Sequence, residues 1–87
     1  MVIEDIKKYN LLAERKNVLG DKILLRENNF VVGWYNIDSL ISFLKEKYRD
    51  KRVDLVVKGF NNIEKKEIIN GIEKLLKENK NFLIEFI

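Results

Sequence analysis

Apolar positions change their spacing from segment to segment along this chain, and the spacing predicts the elements. Over residues 2 to 16, Val2, Ile6, Tyr9 and Ala13 fall on one helical face, with Ile3 and Leu12 beside it. Glu4 and Asp5 stand near the start, where a helix dipole favours anions. This segment is expected to be a helix. Gly20 and Asp21 end the connection after it. KILLRE and FVVGWY follow as two strands separated by Asn28-Asn29. Asparagine tolerates left-handed backbone, so the pair suits a two-residue hairpin turn; the alternative is a single bent loop.

The next segments read more clearly. Asn36 can cap a helix in which Ile37, Leu40, Ile41, Leu44 and Tyr48 form one buried stripe. KYRDKR closes it with cations at the negative end of the dipole. VDLVVKGF is a strand with Val53, Leu55 and Val57 on one side. Val56 lies on the other, as does Phe60 if the strand extends that far. Apolar residues on both faces place this strand in the interior of a sheet. A third helix spans about residues 62 to 78, opened by Asn61 and Glu64 as a capping box, with Ile68, Ile69, Ile72, Leu75 and Leu76 buried. Gly71 weakens that helix by up to ~1 kcal/mol against alanine, which points to a close neighbour. Asn79 to Asn81 stop it, and FLIEFI is the last strand.

The order is a helix followed by β-β-α-β-α-β, an α/β domain at the border with α+β. Both strand–helix–strand units are expected to be right-handed with parallel strands, and the hairpin adds an antiparallel strand. The expected sheet is four-stranded and mixed, with helices packed on it. Residues 1–87 form a single domain: 1–21 hold the N-terminal helix and its connection, and 22–87 the β-β-α-β-α-β unit.

Composition narrows the chemistry. The chain has 87 residues, 46% of them apolar, enough for one modest core. No apolar run approaches the ~20 residues that span a bilayer, and the acidic N-terminus does not resemble a signal peptide. A cytoplasmic protein without membrane contact is expected. Cys, His, Pro, Thr and Gln are absent, which removes thiolate nucleophiles, disulfides, imidazole bases and the usual soft metal ligands. No carboxylate pair suggests acid–base work: Glu64, Glu67 and Glu73 sit among lysines as surface charge. No enzyme, cofactor or metal site is expected. Abundant Lys, Ile and Asn indicate an AT-rich genome, bacterial, archaeal or viral.

Three stretches carry candidate chemistry. At the corner after VDLVVK, Gly59, Phe60, Asn61 and Asn62 open a helix, where free amides can hold an anion. A tight turn with an Asn cap explains the same residues, and one glycine without Gly-Lys-Ser/Thr is no phosphate loop. The corner is read as structural, with Lys58, Phe60, Asn61, Asn62, Lys65 and Lys66 as the rim of a protein-partner surface. In WYNIDS, Trp34 and Tyr35 point to opposite faces; Trp34 is expected in the core and Tyr35 nearer solvent. KEKYRDKR holds Lys45, Lys47, Arg49, Lys51 and Arg52, able to touch nucleic acid or an acidic partner, although the whole-chain charge is only +3. A helix C-terminus attracts cations in any case, so a solvated helix end is the first reading of this stretch.

From residue 22 to 87, the hairpin into a helix, the buried strand, the corner, the helix and the closing strand resemble the STAS domain, the fold of anti-sigma-factor antagonists. NFVVGWYNIDS is placed like that family's second strand and the turn into its first helix. The resemblance implies a protein-binding surface around the helix after the central strand. The family's phosphorylatable serine would fall at Gly59-Phe60-Asn61-Asn62, which has no hydroxyl, so no phospho-switch is implied. Residues 2 to 16 are not the family's usual start. The leading expectation is a non-enzymatic protein-interaction or regulatory module, such as an accessory or inhibitor protein of a phage or mobile element. The alternatives are a weak nucleic-acid binder using residues 45 to 52 and an anion or nucleotide sensor at Gly59.

Overall fold

The computed structural model describes residues 7–17 and 21–87. Five strands and three helices run in the order β1 (Lys8–Asn17), β2 (Asp21–Glu27), β3 (Phe30–Tyr35), α1 (Ile37–Lys47), β4 (Arg52–Lys58), α2 (Asn62–Gly71), α3 (Glu73–Glu78) and β5 (Phe82–Phe86). The strands form one mixed sheet in the order β3-β2-β1-β4-β5. β1 to β3 are an antiparallel meander, while β1–β4 and β4–β5 are parallel. No helix among the described residues is long and apolar enough to cross a membrane.

The start of the chain corrects the helical expectation. Residues 8 to 17 are the central strand, so the sheet has five strands and not four. Tyr9 and Ala13, four apart, share a face in a helix and in a strand alike, so they do not separate the two. Leu11 does. It would point away from them on a helix, but on a strand it joins them, and it is buried at 2% exposure. Val2, Ile3, Glu4, Asp5, Ile6 and Gly20 lie outside the described residues.

The other elements follow the pattern. Asn28 and Asn29 both have positive φ, 50° and 75°, as a primed two-residue hairpin requires. Asn36 caps α1 in a reciprocal box with Ser39. Leu40, Leu44 and Tyr48 are buried, with Ile37 and Ile41 half-buried beside them. β4 is interior, with Val53, Leu55 and Val57 buried. The expected single helix over residues 62 to 78 is two helices, broken at Ile72. Gly71 stands where the helices meet α1: a Cβ there would lie 2.5 Å from Ile41 Cδ1. β3 and β4 point the same way but are separated by β2 and β1.

The core lies between one face of the sheet and the helices. Leu11, Ala13, Ile23, Leu25, Val53, Leu55, Val57 and Phe82 meet Leu40, Leu44, Tyr48, Ile68, Ile72 and Leu75. Under α1, Tyr9, Tyr48, Phe43 and Tyr35 touch in sequence, with ring centroids 5.2–5.9 Å apart. The Tyr48 hydroxyl donates to Glu27 of β2. Burial, and then that hydrogen bond, pushes the Tyr48 phenol well above its ordinary 10.0, and burial raises that of Tyr35. Asn79 is also buried. Its amide donates to the carbonyls of Tyr48 and Lys51 and its oxygen accepts from the Asn81 amide, which ties the turn before β4 to the turn before β5.

Candidate functional site

The corner after β4 is built as a cap. Gly59 has φ +85°, a conformation that needs glycine. The Asn61 side chain accepts from the Glu64 amide at 2.8 Å, and Glu64 accepts in return from the Asn61 amide at 3.1 Å. These side chains satisfy amides that an anion would otherwise take. Glu64 also pairs with Arg15 of β1, whose guanidinium lies 4.9 Å from the centre of the Phe60 ring. Phe60 is 7% exposed and belongs to the core. It therefore supplies no open apolar area at the rim, contrary to expectation, and β4 ends at Lys58 before reaching it. The cations expected together are dispersed. Lys65 lies 5.8 Å from the Phe86 ring, Lys66 and Asn62 are exposed, and Lys58 reaches Glu14 at 3.9 Å on the opposite face of the sheet.

The basic stretch is spread over several surfaces. Lys45 and Arg49 share a groove of about 360 Å³ with Lys74, Leu75 and Glu78, between the end of α1 and α3. Lys47 turns to Glu27 at 3.6 Å and lies 5.5 Å from the rings of Phe43 and Tyr48. Lys51 is half-buried in the turn that Asn79 holds. Arg52 begins β4 on the side away from the helices, by alternation with Val53.

No element among the described residues covers that side of the sheet. Alternation sends Asn10 and Leu12 of β1, Leu24 and Arg26 of β2, Asp54, Val56 and Lys58 of β4, and Leu83 and Glu85 of β5 to it. On β3, Trp34 pairs with Leu24 and Val31 with Arg26, so both stand on this face. This corrects the expectation for WYNIDS: Trp34 is 49% exposed, while Tyr35, opposite Ile23, packs on the core against Phe43. A bulge between Leu25 and Arg26 leaves Val32 as the extra residue. Alternation alone fixes only that neighbours oppose each other; the pairing partner decides which one is inside.

Two adjoining hollows mark the face. One, of about 480 Å³, is lined by Asn10, Leu12, Arg26, Asn28, Asn29 and Val56 among others. The second, of about 320 Å³, is lined by Asn10, Asp54, Val56, Leu83 and Glu85 among others. Across the face, Lys8, Lys16, Lys22, Arg26, Arg52 and Lys58 outnumber Glu14, Asp54 and Glu85. Lys8 pairs with Asp54 at 2.6 Å and Lys16 with Glu14 at 3.2 Å. Leu12 and Val56 form an apolar centre on the inner strands, while Val31 and Trp34 lie on the edge strand, with Arg26 between Val31 and Leu12. Comparison with known proteins gives no protein-family model, no curated protein and no solved structure that matches the chain.

Proposed function

We propose that the chain is a small non-enzymatic interaction module that binds a polypeptide on the helix-free face of its sheet. The observation that carries this reading is the exposed apolar area on that face, with Val31, Trp34 and Leu83 open and Leu12 and Val56 half-open between polar neighbours. An apolar centre with a polar rim is the anatomy of a protein interface, and a large aromatic is its usual anchor. Lys58 is the one residue of the corner that belongs to this face. The likeness to STAS domains is a proposal of the same kind; it favours the surface around α2 instead, where Lys65 and Lys66 lie. Affinity purification from the native host separates the two: Val56→Glu should abolish capture of the partner, whereas Lys65→Glu with Lys66→Glu should leave it intact. The reverse outcome would assign binding to the α2 surface.

A second reading has its own observation, the excess of cations around a single exposed aromatic on the same face. A single-stranded nucleic acid could use both, by backbone attraction and base stacking. The ion pairs to Asp54 and Glu14 offset part of that charge. Binding of a fluorescent oligonucleotide is therefore expected to be weak and lost at physiological salt. Tight binding at that salt, abolished by Trp34→Ala, would put the second reading first.

A further inference from the structure

We infer that β3 is a homodimer interface, pairing antiparallel with β3 of a second copy so that two five-stranded sheets become one continuous sheet. This concerns the edge of the sheet; it shares Val31 and Trp34 with the proposed docking face but leaves Leu12, Val56 and Leu83 open. β3 is the end strand, and no strand lies beyond it among the described residues. An edge strand offers a row of free amides and carbonyls, and natural edges are usually blunted by lysine, proline or other charge. FVVGWY has no lysine, proline or charge, and the bulge at Val32 is its one irregularity. Residues 28 to 37 contain no Asp, Glu, Lys or Arg, the longest such run in a chain that is 36% charged. The far edge differs, since β5 carries Glu85. Neutral edge against neutral edge brings no like charges together, and it would cover Phe30, Val31 and Trp34, which are 77%, 56% and 49% exposed.

The occupant is a second copy because β3 is self-complementary in one register. A two-fold interface must pair residue i with j and j with i. It must also set like faces together. Val31 and Trp34 stand opposite Arg26 and Leu24, two apart in β2, so they share the helix-free face. Phe30 and Tyr35 stand opposite Glu27 and Ile23, four apart, so they share the helix face. Pairing Val31 with Trp34 and Phe30 with Tyr35 satisfies both conditions at once. In a regular strand, residues three or five apart could not meet them. The extra residue Val32 makes the register possible, and it falls beside the two-fold axis, opposite Gly33 of the other copy. The resulting cross-strand pairs are aromatic with β-branched and aromatic with aromatic, both favourable combinations.

Sedimentation equilibrium over a dilution series tests this, with circular dichroism to confirm folding. The intact chain should approach twice its 10.4 kDa as concentration rises. Val31→Glu and Trp34→Lys should each be folded monomers, because each sets a charge against an apolar partner. An equimolar mixture of the two should recover the dimer mass, because the introduced carboxylate and ammonium then face each other. An intact chain that stays monomeric from micromolar to millimolar concentration overturns the proposal. A dimer that survives both single variants also overturns it, and a mixture that stays monomeric overturns the register.

Discussion

At the residue scale, the partners of a side chain decide roles that its type leaves open. Phe60 is an aromatic in a turn, and nothing in GFNN announces that it is buried; Arg15, forty-five positions earlier in the sequence, covers its ring. Asn79 reads as a helix stop and proves to be a buried three-way tie between turns. Asn61, by contrast, was legible, because a cap is a local device. Asn61→Ala is expected to lose ~0.5–2 kcal/mol of stability, measured by urea unfolding. Tyr48 gives a pH signature. Its folded phenol holds the proton above the ordinary 10.0, so the contribution is complete below pH 10 and is lost as pH rises beyond it, where the unfolded chain releases the proton first. Urea midpoints should therefore fall above pH 10 more steeply for the intact chain than for Tyr48→Phe. Equal slopes would show that the buried hydroxyl does not set that dependence.

At the element scale, α1, β4 and the Asn28-Asn29 hairpin were legible because each carries a signal of its own: a stripe, a run apolar on one side, a turn with tolerant residues. β1 was not, because Tyr9 and Ala13 fit both periods and only Leu11 distinguishes them. Leu11→Ala should cost ~2–5 kcal/mol as a buried truncation; a loss near zero in urea unfolding would argue against a central β1. The break at Ile72 was hidden for a similar reason, since Ile68, Ile72, Leu75 and Leu76 suit one continuous helix as well as two. Gly71 was legible as a close approach but not for its neighbour. Gly71→Ala should destabilise by ~1–3 kcal/mol through overpacking on Ile41, in spite of alanine's higher helix propensity. Adding Ile41→Ala should recover part of that packing penalty in a double-mutant cycle, and no recovery would place the strain elsewhere.

At the scale of the molecule, the three helices among the described residues lie on one face of the sheet, and no described element covers the other, which has apolar residues at its centre and cations around them. Sequence spacing assigns residues to two sides of a strand, but it does not say which side receives a helix, so it leaves open whether Trp34 or Tyr35 is inside and carries no mark of the helix-free face. The corner and the basic stretch stand out in the sequence because their chemistry is contiguous, whereas the face gathers residues from all five strands. A photoreactive side chain at position 56 or at position 66, irradiated in extracts of the native host, tests the functional reading most directly. The proposed docking face predicts crosslinking to one polypeptide from position 56, competed by unlabelled chain, and none to it from position 66. Crosslinking of a polypeptide from position 66 alone, or of nucleic acid alone from position 56, would contradict it.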